Sequence, residues 1–142
     1  MIGLDTNVLA RYFVHSDDPS SITADTQKQI ELAINLLDGD QALMISKTVL
    51  LEFEWVICGF YKLPKTHFEQ ALAYLLSSAN IEFEDHLAVE SAYSAINLGF
   101  DFADALHHAS YRRCDSVATF DNKGFAKRAA KHGLRPQVVL LV

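Results

Sequence analysis

Five short apolar runs alternate with stretches of helical length along this chain, and that alternation constrains its fold more than any other feature. The runs are residues 1–5 (MIGLD), Ala42 to Ile45, Ile81 to Glu84, Ser116 to Phe120 and Gln137 to Leu141. Helices are expected from Thr6 onward, then over about Thr23 to Leu37, Thr48 to Tyr61, Lys65 to Ser78, His86 to Leu98, Asp101 to Arg113 and Asn122 to His132. Helical spacing is plain in Ile30, Ala33, Ile34 and Leu37, and again in Phe68, Ala71, Leu72 and Leu75. Gly39, Gly59, Gly99 and Gly133 fall where helices should stop, and HSDDPSS at 15–21 is the clearest loop. The stretch Thr48 to Tyr61 is apolar almost all round, which predicts burial. Short strands alternating with helices make a parallel sheet covered on both faces, so the expected class is α/β, a three-layer α/β/α sandwich.

With 142 residues, half of them hydrophobic, and no linker, repeat or low-complexity tract, a single domain over 1–142 is expected. The net charge of −6 gives no general attraction to nucleic acid, although two bound divalent cations would bring it to roughly −2. Cys58 and Cys114 lack metal-ligand spacing and read as reduced packing thiols. Asp5 and Arg11 interrupt the first apolar stretch, so it lacks the centre of a secretory signal, and no run reaches the ~18 apolar residues of a membrane span. The expected setting is a reduced cytoplasm, away from membranes.

Four carboxylates, Asp5, Glu52, Asp104 and Asp121, sit beside apolar runs. Two carboxylates about 4 Å apart repel by roughly 4 kcal/mol at an effective dielectric near 20, so four drawn together require cations. A carboxylate-rich donor set suits Mg²⁺ or Mn²⁺ better than Zn²⁺. Each residue also has a plainer reading. Asp5 in LDTNV, Asp104 in GFDFADALHHA and Asp121 after VATF could each serve a helix start, with Asp101 the stronger cap beside Asp104. Glu52 and Glu54 are equal candidates by periodicity. Thr6 and Asn7 follow Asp5, and Thr119 shares a strand face with Asp121, so all three are candidate supporting residues. His107 and His108 lie three and four residues after Asp104, where ligation competes with packing, and Arg112 two turns on could meet a phosphate or only solvent.

The segments LDTNVLARYF, TVLLEFEWVI, GFDFADALHHA and ATFDNKGF, taken in order, resemble the PIN-domain family, and within it the VapC-type toxins of toxin–antitoxin pairs. The resemblance covers essentially the whole chain. It implies a five-stranded sheet ordered 3-2-1-4-5, a Mg²⁺ or Mn²⁺ site at Asp5, Glu52 (rather than Glu54), Asp104 and Asp121, and small polar support from Thr6, Asn7 and Thr119. It also implies ribonuclease activity by metal-assisted phosphodiester hydrolysis, a homodimer, and an antitoxin whose C-terminal segment blocks the groove. The acidic balance, relieved only by Arg112 with Arg113 and by Lys123 to Lys131, departs from what an RNA-binding surface would lead one to expect.

Two rivals remain on sequence. A receiver-like signalling domain would use Asp85 as phosphoacceptor, but the first strand supplies one Asp rather than an acidic pair. A catalytically silent PIN-like binding module is the other. A haloacid-dehalogenase-type phosphatase is disfavoured because Asn7 stands where its motif needs a second Asp.

Overall fold

The structure, a computed structural model, describes residues Met1–Val142. They divide into two compact units, Met1–Glu84 and Asp85–Val142. In the first unit β1 (Ile2–Gly3) pairs in parallel with β2 (Leu43–Ile45), which pairs in parallel with β3 (Ile81–Phe83). Side chains alternate across a strand, so Leu43, Ile45, Ile81 and Phe83 turn inward while Met44 and Glu82 face out. The connecting helices are α1 (Thr6–Phe13), α2 (Ala24–Leu37), α3 (Lys47–Trp55) and α4 (Lys65–Ser77). Thr23 caps α2 and Ser46 caps α3, each hydroxyl accepting a backbone N–H three residues on. A short 3₁₀ turn, Pro19–Ser21, lies inside the expected loop.

The expectation that residues 48–61 are buried all round is corrected here. The α-helix ends at Trp55 and continues as a π-helical turn, Val56–Phe60. Leu50, Phe53 and Ile57 are at most 1% exposed, whereas Trp55 is 61% and Phe60 65% exposed. One face is core, where the Phe53 ring meets Phe13 and Phe68 with centroids 5.7 and 5.9 Å away.

The second unit holds α5 (His86–Ile96), α6 (Phe102–Ser110), β4 (Ser116–Thr119), α7 (Lys127–Lys131) and β5 (Gln137–Leu140). The last predicted helix, 122–132, begins as a π-helical turn, Asn122–Ala126, before α7. β4 and β5 pair in parallel from Ser116 opposite Gln137 to Thr119 opposite Leu140. Gly99, at φ +89, turns the chain after α5, and the Arg128 guanidinium donates to its carbonyl. Glycine alone takes that backbone angle without strain.

Parallel strands separated by helices make the chain α/β. The single five-stranded sheet ordered 3-2-1-4-5 does not form: the ladders are β1-β2-β3 and β4-β5. The physical reason lies in β1. It has two residues, both exposed, and one is Gly3, so it offers few backbone groups and a single side chain with which to hold a second neighbour. β3-β2-β1 and β4-β5 are the two parts of the expected order that do pair.

Because Phe53 is fully enclosed, Phe53→Ala should cost about 3–5 kcal/mol of stability. Leu32→Ala, on a side chain 58% exposed, should change it by less than about 0.5 kcal/mol. Urea unfolding of the two variants checks the core assignment.

Candidate functional site

Asp104 is a carboxylate set against its surroundings. It sits in the first turn of α6, half-buried, and its pKa is raised by desolvation first, then by the charges of Asp101 and Asp121, with His107 opposing. Asp101 takes the capping role, its Oδ2 accepting the Asp104 N–H at 3.3 Å. Asp104 is therefore not needed as a cap, and no side-chain hydrogen bond ties it down.

Asp121 is placed differently. It leads the π-helical turn, its Oδ1 accepting from Gly124 N–H at 2.9 Å and its Oδ2 from Phe125 N–H at 3.0 Å. These donors hold its pKa below the usual carboxylate value, so it is ionised throughout the physiological range. A Cβ on residue 124 would lie 2.8 Å from Asp121 Oδ2, so glycine there keeps the carboxylate seated. Thr119 Oγ1 accepts the Asp121 backbone N–H at 3.0 Å and so fixes the approach to this turn. The capping reading of Asp121 is realised, and the same bonds orient its charge. The charge of Asp121 acts on Asp104, which brings two of the predicted carboxylates into one electrostatic neighbourhood.

In the first unit Asp5 occupies the N-cap position of α1, yet its side chain makes no capping bond. The capping reading thus fails for Asp5, and its exposed carboxylate is unpartnered. The next residue, Thr6, is 2% exposed, and its Oγ1 is a buried oxygen without a hydrogen-bond partner. Asn7 is exposed and borders a groove of about 420 Å³ between α1 and α2, with Arg11 and Gln29. Glu52 is exposed on α3 without a side-chain bond, whereas Glu54 is half-buried and its charge raises the Cys58 thiol.

The remaining candidates separate on geometry. His108 is 5% exposed, with a ring nitrogen 2.7 Å from the Pro136 carbonyl and its ring against Phe125, which makes it a packing residue. His107 is exposed and tempers the charge on Asp104. Arg112 donates to Asp85 Oδ2 at 2.7 Å, while Asp85 Oδ1 caps α5 at Ala88 N–H. Asp85 is thereby committed to an ion pair and a cap, a poor setting for a phosphoacceptor. The sequence reading also carries β4 one residue too far: the strand ends at Thr119, and Phe120 stands 80% exposed. An aromatic directly before a turn-forming Asp-Asn is the signal that sequence reasoning passed over.

The residues present fit a hard divalent cation. In the second unit Asp104 and Asp121 offer carboxylate oxygens, the former set against like charge; in the first, Asp5 directly precedes the orphaned Thr6 hydroxyl. Within either unit, no three His, Cys, Asp or Glu side chains are gathered closely enough to hold a metal ion.

The PIN domain family matches residues 2–131, a stretch that runs through both units. The chain belongs to the PIN domain family. PIN domains are generally nucleases that use divalent metal ions, which is the chemistry that a carboxylate donor set serves. No curated protein matches the chain. No helix is long and apolar enough to cross a membrane.

The raised pKa of Asp104 has a stability consequence. The folded state holds this proton more tightly than the unfolded chain, so the associated stability is full below the ordinary value of 3.8 and is lost as pH rises through the folded value. In EDTA, Asp104→Asn should therefore gain on the wild type as pH rises from 3.8 through the folded value, with the gap levelling once Asp104 is ionised. Denaturant titrations at stepped pH check this, and a gap independent of pH would contradict it.

Proposed function

We propose that this PIN domain is a Mg²⁺- or Mn²⁺-dependent endoribonuclease, with residues 1–142 acting as one domain in the cytoplasm. The observation that carries the reading is Asp104, a half-buried carboxylate in the first turn of α6 that faces the charges of Asp101 and Asp121 and is relieved of capping by Asp101. Asp104, Asp121 and Asp5 are the proposed metal ligands, with Glu52 ligating directly or through water. Asp5 is supported by its unbonded carboxylate and the orphaned hydroxyl of Thr6 beside it; Asn7 and Thr119 are the further supporting residues. When bound, such an ion activates water at neutral pH and neutralises charge on a phosphodiester.

The protein's own contribution is positional. Ligating carboxylates must be ionised, and the backbone N–H groups of Gly124 and Phe125 keep Asp121 so. Asp101 occupies the cap of α6 and leaves the Asp104 oxygens for other work. Thr119 anchors the backbone from which Asp121 projects. No protein nucleophile is required.

The family resemblance further supports a toxin of the VapC type, a homodimer restrained by an antitoxin protein, with a small neighbouring gene as the antitoxin source. A silent binding module is the competing reading, and hydrolysis separates the two. Purified, antitoxin-free protein should cut a total RNA pool with Mg²⁺ or Mn²⁺ and not with EDTA. Asp104→Asn and Asp5→Ala should each lower the rate by at least about 100-fold while retaining the wild-type circular dichroism spectrum. Equal cutting by wild type and variants would overturn the site, and no cutting by metal-loaded protein would favour the silent module.

A further inference from the structure

Residues 122–135 (NKGFAKRAAKHGLR) carry five of the chain's 12 Lys and Arg and none of its 18 Asp and Glu. The remainder is left with seven cationic and 18 acidic residues, so the charge is strongly segregated. In the fold this segment becomes the π-helical turn and α7, which border a pocket of about 310 Å³ lined by Lys123, Gly124, Lys127, Arg128, Lys131 and His132. Lys123, Lys127 and Lys131 are spaced four apart and share a face. None of the three is in an ion pair, and like charges at this spacing destabilise a helix. Arg128 is anchored by its bond to the Gly99 carbonyl, which holds one wall of the pocket in place.

The second observation is Phe120, 80% exposed, immediately before Asp121 and three residues before Lys123. A large apolar side chain left exposed in the residue before this turn gains nothing for the core. Cationic grooves that track a backbone, combined with exposed aromatic faces on which bases stack, are the two elements by which single strands are bound. We propose that Phe120 and the Lys123–Lys127–Lys131 pocket form a binding track for single-stranded RNA on either side of Asp121. A base stacks on the Phe120 ring and a neighbouring phosphate enters the pocket.

The choice of RNA as occupant rests on the nuclease reading, whereas the cationic pocket and exposed ring do not. A free phosphate or polyphosphate would use the lysines alone; a base-bearing strand uses Phe120 as well. The overall charge of −6 ceases to be an obstacle, because the attraction is local and the acidic surface elsewhere disfavours other registers.

The test is equilibrium binding of a fluorescent single-stranded 12-mer RNA in EDTA, where nothing is cut, beside inorganic polyphosphate as second probe. Phe120→Ala should weaken RNA binding about tenfold and leave polyphosphate unaffected; Phe120→Trp should restore RNA binding and Phe120→Leu should not. Lys127→Ala with Lys131→Ala should weaken both probes and lower the slope of log affinity against log salt by about 1.4 for RNA. Unchanged RNA affinity in Phe120→Ala, or an unchanged slope in the double lysine variant, overturns the proposal even if the wild type proves to be a nuclease. The predicted losses seen in a protein that cuts no RNA would sink the nuclease reading and leave the track standing. Thermal midpoints within 2–3 °C of wild type, about what surface changes permit, confirm that the variants are folded.

Discussion

The repulsion focused on Asp104 organises the account of this protein. Burial and the neighbouring charges of Asp101 and Asp121 disfavour its ionised form, and only the exposed His107 and the amino end of α6 favour it. A divalent cation held by such carboxylates would add attraction that offsets their mutual repulsion.

Local structure accommodates the carboxylates by assigning other groups to the ordinary work. Asp101 caps α6, so Asp104 does not have to. Two backbone N–H groups and a glycine hold Asp121 in its turn. α1 goes without a side-chain cap although an aspartate stands at the capping position, forgoing about 1 kcal/mol that such a bond usually supplies. The orphaned Thr6 hydroxyl lies next to it. These local departures from good helix design fall at residues whose chemistry the fold is proposed to use, as stability and function commonly trade. The cationic turn after Asp121 fits the same account, since its unpaired lysines weaken α7 while supplying attraction that an acidic protein otherwise lacks.

Most of the fold was legible because periodicity reports which residues turn inward. Ile30, Ala33 and Leu37, Phe68 and Leu72, and the alternation in Leu43–Ile45 and Ile81–Phe83 all behave as their spacing predicts. Periodicity misleads where apolar residues fall on both faces of a helix. The stretch that reads as apolar all round divides into a buried Leu50, Phe53 and Ile57 face at ordinary helical spacing and an exposed face with Trp55 and Phe60. Strand pairing between β1 and a second neighbour is a tertiary property that a two-residue strand does not encode, which is why the five-stranded order came from resemblance and was not met. Among the candidate residues, spacing could not choose between Glu52 and Glu54, and it gave His107 and His108 equal standing although one is solvated and the other packed. Asp5, Asp104 and Asp121 shared one plain reading as caps on sequence alone, and only the donors and acceptors around each show that Asp121 caps while Asp5 and Asp104 do not.

The proposal that Asp104 helps to hold a divalent cation is tested most directly by the unfolding midpoint with and without Mn²⁺. Saturating Mn²⁺ at a hundred times its dissociation constant should stabilise the wild type by about 2.7 kcal/mol and leave Asp104→Asn close to its metal-free value. A wild-type midpoint that Mn²⁺ does not move, or an equal rise in the variant, would contradict the account.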